Sequence, residues 1–375
     1  MERFVDVLAE WPRERILACV EAAGPGDVRG ALNAELPGPA LFAAMLSDAA
    51  DPLLEEMAQC AHALRLQYFG RSVQLFSPLY VSDHCTNQCR YCGFNARNKL
   101  HRRHLSVEEA VEEAGAIAAM GIGHILLLTG DHRRMSPPSY IADIARAIKP
   151  DFPSVGVEVY SMTEEEYGGL VEAGVDSMTM FQETYSPDRY EYLHPAGPKR
   201  DYAFRLEAPE RAARGGMRSL GIGALLGLQE FALDAFATGL HAWWLQKRFP
   251  GVEVSVSVPR LRPHEGEFLS PHGVDDRRFV RYIAALRCFL PRVGITCSTR
   301  EAADMRDHIV PIGVTRVSAG VSTAVGGRRV KGEGVGQFEI ADHRGVAQME
   351  EAMGRLGYQT VSKDWESPEA TAMAS

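Results

Sequence analysis

The feature that most constrains the fold of this 375-residue chain is an alternation of short apolar segments with amphipathic helices between residues 79 and 320. The apolar segments are LYVS, HILLLTG, VGVEVY, DSMTMFQ, SLGIGALL, EVSVSVP, GITCSTR and TRVSAG. Short apolar strands that alternate with helices favour a parallel sheet covered on both faces. Because about eight such units close a (β/α)8 barrel, we predict a TIM-like α/β barrel. An open doubly wound sheet is the alternative that the same pattern allows.

The barrel is flanked by two regions of different character, so three parts are predicted. Residues 1–76 form a helical N-terminal extension, whose last helix ends at Gly70. Residues 77–320 form the barrel. Residues 321–375 form a C-terminal loop and tail, because the Gly- and Arg-rich tract Val325–Gln337 is typical of a loop that leaves a barrel.

The composition limits the partners and the compartment. The chain is 46% hydrophobic and 24% charged, with a formal net charge of -9, as in many globular proteins. An acidic chain is a poor general binder of nucleic acid or of an anionic membrane, so neither partner is expected. No apolar run approaches the ~18 residues of a membrane span, and the N-terminus lacks the pattern of a signal peptide. We therefore expect a cytoplasmic protein with reduced thiols.

Three of the seven cysteines lie within eight residues, at Cys85, Cys89 and Cys92. A structural zinc site needs four ligands, and the possible fourth ligands lack the usual paired spacing: His84, His101 and His104. Iron–sulfur ligation fits better, because three thiolates on a four-iron cluster leave one iron open to bind a substrate. The other four cysteines are predicted to be isolated buried thiols: Cys19, Cys60, Cys288 and Cys297.

The cysteine motif carries a family resemblance. The sequence CTNQCRYCGF has the spacing C-x3-C-x2-C followed by an aromatic residue, and it follows the first predicted strand. It resembles the signature of the radical S-adenosylmethionine (SAM) enzymes. The resemblance implies one [4Fe-4S] cluster on the three cysteines, with SAM bound at the open iron and cleaved to methionine and a 5′-deoxyadenosyl radical.

Further similarity extends over about residues 50 to 366. It is carried by PLYVSDHCTNQCRYCGF, LLLTGDH, MFQETY, RLEAPERAARGGMRSLGIGALLGL, VSVPRLRP, CSTR, VSAG and SKDW. Together these segments resemble the 2-iminoacetate synthases, which are tyrosine lyases of thiamine biosynthesis. The resemblance implies cleavage of the Cα–Cβ bond of L-tyrosine to p-cresol and 2-iminoacetate (dehydroglycine). It also implies two protein partners, a flavodoxin or ferredoxin as electron donor and a thiazole synthase subunit as acceptor of the product.

The resemblance assigns residues to a SAM site on the rim where barrel enzymes keep their active sites. Gly130 and Asp131 match a Gly-Glu pair that meets the SAM amino group, with Asp in place of Glu. Arg205 matches an arginine that pairs with the SAM carboxylate, for which the forked guanidinium is suited. The other predicted SAM contacts are polar residues at strand ends and two glycines beside the adenine: Glu158, Gln182, Glu183, Gly221 and Gly223.

The substrate site is assigned mainly to the last two barrel strands. Arg300 and Ser318 match residues that anchor the carboxylate of the amino acid in related lyases. Tyr91 and Phe94 lie beside the cysteines in sequence, and we expect them to wall the cavity in which the radical reacts.

Three rival functions stay open. Hydrogenase-maturation tyrosine lyases use a second cluster that is bound by C-terminal cysteines. The present sequence contains no cysteine after Cys297. A tryptophan lyase would differ in a few cavity residues that the sequence does not place. From another class, the chain could be a non-catalytic iron–sulfur electron carrier, which an open iron site and a full barrel argue against.

Overall fold

The barrel is closed. The computed structural model describes residues 3–261, 268, 271–329 and 336–362. Its strands are β1 (Ser72–Ser82), β2 (His124–Thr129), β3 (Ser154–Glu158), β4 (Ser177–Glu183), β5 (Ser219–Ala224), β6 (Glu253–Ser257), β7 (Gly294–Cys297), β8 (Arg316–Ser318) and β9 (Gln359–Val361). The first eight are neighbours in chain order, and β1 pairs in parallel with both β2 and β8. The predicted barrel is confirmed, and the open-sheet alternative is wrong.

The helices lie before, between and after these strands. They are α1 (Phe4–Ala9), α2 (Arg13–Ala22), α3 (Pro25–Asn33), α4 (Pro39–Leu46), α5 (Leu54–Phe69), α6 (Val107–Ala118), α7 (Pro138–Ile148), α8 (Glu164–Glu172), α9 (Pro187–Leu193), α10 (Tyr202–Leu206), α11 (Ala208–Arg214), α12 (Phe231–Arg248), α13 (Asp276–Phe289), α14 (Ala303–Ile312) and α15 (Val346–Arg355). α6 begins at a capping box, in which Ser106 Oγ accepts from Glu109 N at 3.2 Å and Ser106 N donates to the Glu109 carboxylate at 2.7 Å. None of the helices in the described ranges is long and apolar enough to cross a membrane.

The N-terminal helices pack against the outer helices of the barrel. Phe42 of α4 stacks on Phe289 of α13 with ring centroids 4.4 Å apart, and Phe4 of α1 stacks on His241 of α12 at 3.9 Å. The predicted boundary between residues 76 and 77 falls inside β1, which begins at Ser72. The division of the chain into three domains stays a prediction.

The C-terminal region contains more regular structure than the predicted loop and tail. α15 buries Met349, Ala352 and Met353, and β9 adds to the sheet beside the start of β1. β9 has only three residues, too few for an apolar alternation to show in the sequence. In the Gly- and Arg-rich tract, the backbone N–H groups of 328 and 329 donate to the carboxylate of Glu113, so this part folds back onto α6. Residues 330–335 of the tract lie outside the described residues.

Two of the thiols predicted to be isolated lie close to each other. The Cys288 thiol of α13 donates to the carbonyl oxygen of Met57 in α5 at 3.8 Å, and its interaction with Cys60 of α5 lowers the pKa of Cys60 to about 7 and raises the pKa of Cys288. This proximity follows from the close packing of α5 on α13. Cys297 is buried as expected, whereas Cys19 is half-buried.

Small residues on the strands leave a cavity inside the barrel. A Cβ atom on Gly156 would lie 2.6 Å from Ser177 Oγ, so glycine is needed where β3 approaches β4. The cavity has a volume of about 210 Å³ and is lined by residues from all eight barrel strands. At the carboxyl ends of the strands the lining also includes Tyr91 and Cys92, from the loop after β1. The fold therefore joins the cysteine loop and the barrel interior in one cavity.

Candidate active site

The cysteine loop follows β1 and is held by backbone hydrogen bonds. Arg102 organises it, because its guanidinium donates to the carbonyl oxygens of Asp83 at 2.6 Å, Phe94 at 2.9 Å and Asn95 at 2.7 Å. The loop is also tied to the end of β2, where Thr86 N donates to the Asp131 carbonyl at 2.9 Å. These contacts fix the positions of the three cysteines at the carboxyl end of the barrel.

The three thiols share one electrostatic environment. Burial raises the pKa of Cys89 to about 12, against the opposing effect of Lys199, and charge on Cys85 or Cys92 would raise it further. Burial and Cys85 also raise the pKa of Cys92. Cys89 and Cys92 therefore stay protonated unless a metal stabilises their thiolates.

The donor set fits a cluster better than a single ion. In the ranges that the structure describes, no three His, Cys, Asp or Glu side chains gather around one point as a single metal ion requires. A cluster asks for a different geometry, since each thiolate binds a separate iron. Cys85, Cys89 and Cys92 lie on one loop and interact electrostatically, so they would hold such a cluster, and no fourth cysteine is nearby in sequence.

Tyr91 is fixed by a histidine that the sequence did not single out. The Tyr91 hydroxyl donates to His194 Nε2 at 2.7 Å, while His194 Nδ1 donates to the carbonyl oxygen of Tyr190 at 2.8 Å. Burial lowers the pKa of His194 to about 3, so the imidazole is neutral, as this pattern of hydrogen bonds requires. The side chain of Tyr91 is therefore locked beside the cysteines. No sequence signal joins the two residues, which lie 103 positions apart.

Glu183 is the centre of a buried charge cluster. Its φ of 71° lies in the left-handed region, which non-glycine residues rarely adopt and which recurs at functional sites. Its carboxylate pairs with Lys199 at 2.5 Å and lies 3.8 Å from Arg205 Nη2. Burial alone would raise the pKa of Glu183, but Lys199 and Arg205 outweigh it and lower the pKa. The carboxylate therefore stays charged, with two cations beside it.

The other predicted SAM residues fall into two groups. Glu158 lines the cavity, and burial raises its pKa to about 7. Gln182 is buried, and neither its amide nitrogen nor its amide oxygen has a partner, which is unusual unless a ligand binds there. Asp131 instead contacts the cysteine loop, accepting from Asn87 Nδ2 at 2.8 Å. Gly130 also belongs to this contact, since a Cβ atom there would lie 2.3 Å from the carbonyl oxygen of His84.

The two predicted adenine glycines make room for neighbouring strands. A Cβ atom on Gly221 would lie 2.6 Å from Thr179 Oγ1, and one on Gly223 would lie 2.7 Å from the Ser257 carbonyl oxygen. Their immediate role in the structure is thus strand packing.

Arg300 is a half-buried cation that forms no ion pair with a carboxylate in the described part of the chain, although Glu158 and Glu183 act on its charge from farther away. Its guanidinium stacks 3.6 Å from the ring centroid of Phe338 and lines the cavity. Burial lowers its pKa, but an arginine still carries its charge near neutral pH. Ser318 lines the same cavity, and its buried hydroxyl has no hydrogen-bond partner. These two groups provide a cation and a hydroxyl that a carboxylate can bind.

The cavity brings together part of the predicted site. The predicted residues that line it are Tyr91, Cys92, Glu158, Glu183, Arg300 and Ser318. Phe94 is buried in the loop and packs edge-on against Tyr80, with ring centroids 6.0 Å apart. The sequence did not point to three further lining residues, Tyr80, Gln337 and Phe338.

Two family descriptions match the chain in succession. Residues 79–236 match the Radical SAM superfamily, and residues 257–359 match the Biotin and Thiamin Synthesis associated domain. The second match runs from β6 into β9, so it includes Gln337 and Phe338.

Full-length relatives are similar to the chain. It is 35% identical over 368 residues to the 2-iminoacetate synthase of Escherichia coli K12 and also to that of Salmonella typhimurium LT2, with 98% of both chains covered in each comparison. It is also similar to the FeFe-hydrogenase maturase HydG of Carboxydothermus hydrogenoformans, with 31% identity, a TM-score of 0.84 and coverage of 96% of this chain and 83% of that one.

Proposed function

This chain belongs to the 2-iminoacetate synthase family of radical SAM enzymes, and we propose that it splits the Cα–Cβ bond of L-tyrosine. The products are p-cresol and 2-iminoacetate, with 5′-deoxyadenosine and methionine from SAM, and 2-iminoacetate serves thiazole formation in thiamine biosynthesis. As a radical SAM enzyme the chain binds SAM and an iron–sulfur cluster. When bound, these groups supply one electron and a 5′-deoxyadenosyl radical that abstracts hydrogen from the substrate.

Cys85, Cys89 and Cys92 hold one [4Fe-4S] cluster in this proposal. The support is that the three thiols lie on one loop whose backbone is fixed by Arg102, and that Cys92 lines the cavity. SAM would then lie between this loop and the end of β4. There Gln182 offers an amide without a partner, and Arg205 offers a buried guanidinium.

Arg205 and Glu183 act together in the proposed SAM site. Arg205 Nε donates to the carbonyl oxygen of Phe181 at 2.7 Å, while one Nη atom faces Glu183 at 3.8 Å. The remaining donors of the guanidinium suit a carboxylate, and Lys199 offsets the charge of Glu183. Glu158 would accept from a ribose hydroxyl, most effectively above its pKa of about 7.

The observation that carries the substrate assignment is the pair formed by Arg300 and Ser318. A half-buried guanidinium without an ion pair in the described ranges and a buried hydroxyl without a hydrogen-bond partner both line the cavity that Cys92 lines. Leaving such groups unsatisfied is costly, so they indicate a ligand with a carboxylate. An amino acid held there by its carboxylate would present its amino group and side chain to the cysteine end. Fixing this geometry is the contribution that the protein makes to the radical reaction.

Two protein partners follow from the reaction. Cluster reduction, and removal of the radical left after fragmentation, require electrons from a flavodoxin or ferredoxin. The product is an imine that hydrolyses readily, so we infer direct transfer to a thiazole synthase subunit.

The experiment is an anaerobic assay of the reconstituted protein with SAM, a reductant, and either tyrosine or tryptophan. We expect p-cresol and 5′-deoxyadenosine from tyrosine, and neither 3-methylindole nor another indole product from tryptophan. Indole products would favour the tryptophan lyase, and carbon monoxide with cyanide would favour the hydrogenase-maturation reaction. Absence of 5′-deoxyadenosine in every sample would leave only the electron-carrier function.

A further inference from the structure

The surface around the cysteine loop is basic although the chain is acidic. Three stretches, 82–104, 131–134 and 192–200, contain nine Lys or Arg and two Asp. Since the whole chain has 40 Lys or Arg and 49 Asp or Glu, the remaining residues have 31 basic and 47 acidic side chains. We call these three stretches the basic rim.

The basic rim is one continuous piece of the structure. Thr86 N donates to the carbonyl oxygen of Asp131 at 2.9 Å, which joins the cysteine loop to the second stretch. The backbone N–H groups of 88 and 90 donate to the carbonyl oxygens of 196 and 193, each at 3.1 Å, which joins it to the third. The charges of the three stretches therefore act together.

Several cations on the rim are exposed and have no acidic partner among the residues that the structure describes. Arg97, Lys99 and Arg134 are exposed, and none of them pairs with a carboxylate. Arg90 donates to the carbonyl oxygen of Tyr192 at 2.8 Å and stacks 4.4 Å from its ring, also without an acid. The unpaired charges are therefore available to a partner.

Other cations of the rim are already engaged. Arg133 pairs with Glu166 at 2.5 Å, Arg200 pairs with Glu191 at 2.8 Å, and Lys199 pairs with Glu183. These ion pairs reduce the net charge of the second and third stretches of the rim. The excess of positive charge is concentrated on the cysteine loop itself.

The unpaired cations lie next to the thiols. Arg90 directly follows Cys89, and Arg97 and Lys99 lie five and seven residues after Cys92. Cys85 is half-buried and is followed by the exposed Thr86. The rate of electron transfer falls steeply with distance, so a donor must approach the cluster ligands closely. The basic rim is a face of the molecule on which an electron donor can approach the cysteines.

We propose that the basic rim is the docking surface for an acidic protein that carries one electron at a time on a flavin or an iron–sulfur group. The inference rests on the proposed function, because that function requires reduction of a cluster at Cys85, Cys89 and Cys92. One electron passes from the reduced carrier to the oxidised cluster, so the carrier is oxidised by one electron and no atom is transferred. The acidic remainder of the chain repels such a carrier, and the rim attracts it.

The test compares charge reversal on the rim with charge reversal elsewhere. The rim variant is Arg97→Glu with Lys99→Glu, and the matched control is Arg292→Glu with Lys247→Glu, which replaces one exposed arginine and one exposed lysine that also form no ion pair in the described ranges. The holoenzyme of each is mixed anaerobically with a reduced acidic flavodoxin in low and high salt. Bleaching of the visible absorption of the cluster reports electron transfer without requiring SAM or tyrosine.

We expect the rim variant to reduce the second-order rate of flavodoxin-driven bleaching at least tenfold in low salt, and the control variant to stay within twofold of wild type. High salt should slow the wild-type protein and reduce the difference from the rim variant, because screening weakens steering between exposed charges. After complete prereduction with excess dithionite, all three proteins should form 5′-deoxyadenosine at the same rate.

Equal flavodoxin rates in the rim variant and wild type would overturn the proposal, and so would a wild-type rate that does not depend on salt. Loss of 5′-deoxyadenosine formation in the prereduced rim variant alone would also overturn it, since the charges would then serve the cluster or SAM. If prereduced wild type formed no 5′-deoxyadenosine while flavodoxin still bleached its cluster, the proposed function would fail and the docking surface would stand.

Discussion

At the residue scale, two arginines of the candidate site, Arg205 and Arg300, have different surroundings. Arg205 lies beside the charged carboxylate of Glu183, so part of its charge is balanced within the protein. Arg300 has an aromatic ring against one face and forms no ion pair in the described ranges, although Glu158 and Glu183 act on its charge from farther away. A half-buried cation without an ion pair is stabilised most by a ligand that brings its own negative charge. We therefore assign the substrate carboxylate to Arg300 and the SAM carboxylate to Arg205.

Replacing Arg300 separates substrate binding from SAM cleavage. In Arg300→Ala we expect p-cresol formation to fall by a factor of about 100 or more, because small misplacement of a reacting group has effects of that size. Slow release of 5′-deoxyadenosine should continue, because the cysteine loop is untouched. Arg300→Lys should also be impaired, since an ammonium group cannot replace the planar fork. The measurement is the ratio of p-cresol to 5′-deoxyadenosine while tyrosine is titrated.

The control for this series is Arg292→Ala. Arg292 is also stacked on an aromatic ring, 5.7 Å from the centroid of Tyr68, but it is exposed. The Arg292→Ala variant should keep the wild-type ratio of p-cresol to 5′-deoxyadenosine. A wild-type ratio and an unchanged tyrosine dependence in Arg300→Ala would show that the carboxylate is held elsewhere.

At the scale of single elements, the cysteine loop is positioned by the end of β2. Gly130 lies where the two meet, and a Cβ atom there would lie 2.3 Å from the carbonyl oxygen of His84 and 3.1 Å from Cys85 Cβ. The nearest obstacle is backbone, which cannot rotate away as a flexible side chain can. The end of β2 therefore requires glycine for the loop to lie where it does.

We expect Gly130→Ala to lower the iron content of the reconstituted protein and its SAM cleavage together, because the loop must shift. Gly115→Ala is the matched control, since Gly115 lies within α6 and nothing is within 4 Å of the added Cβ atom. The control should load iron normally and gain up to about 1 kcal/mol of helix stability. Iron and sulfide analysis gives the readout, and full iron loading in Gly130→Ala would contradict this view of the loop.

Some elements of the fold and the site were predictable from the sequence, and others were not. The barrel strands were predictable because each is a short apolar run, and the cysteine motif because its residues are close in sequence. His194, Lys199 and Phe338 were not, since each reaches the site only through tertiary packing. Phe338 meets Arg300 from the C-terminal region, which the sequence indicated to be loop and tail. The contact between the Asp131 side chain and Asn87 of the cysteine loop was not predictable either, and the SAM-binding role of Asp131 stays a prediction.

At the scale of the whole molecule, a buried acid joins the end of β4 to α12. Asp234 Oδ1 accepts from Thr184 Oγ1 at 3.0 Å and from Tyr185 N at 2.8 Å, while Oδ2 has no partner. Burial raises the pKa of Asp234 from 3.8 to about 7. The folded state therefore holds a proton that the unfolded state releases near pH 4. This difference in proton binding contributes to the free energy of unfolding at low pH, and the contribution is lost as the pH rises toward 7.

In Asp234→Asn the side chain stays neutral at every pH. The quantity of interest is the free energy of unfolding of wild type minus that of the variant. We expect this difference to fall between pH 5 and pH 7 by up to about 1.4 kcal/mol per pH unit, and to level off above pH 7. Anaerobic urea titrations followed by circular dichroism give the difference, in which effects common to both proteins cancel. Parallel pH dependence of the two proteins would contradict the raised pKa.

The central claim, cleavage of the Cα–Cβ bond of tyrosine, is tested most directly with tyrosine labelled with ¹³C at Cα or at Cβ. The holoenzyme is incubated anaerobically with SAM and reductant, and the products are analysed by mass spectrometry, with 2-iminoacetate collected as glyoxylate after hydrolysis. We predict that the Cβ label appears only in the methyl group of p-cresol and the Cα label only in glyoxylate, in equal amounts. Label from Cα in p-cresol, or in cyanide or carbon monoxide in place of glyoxylate, would contradict the account.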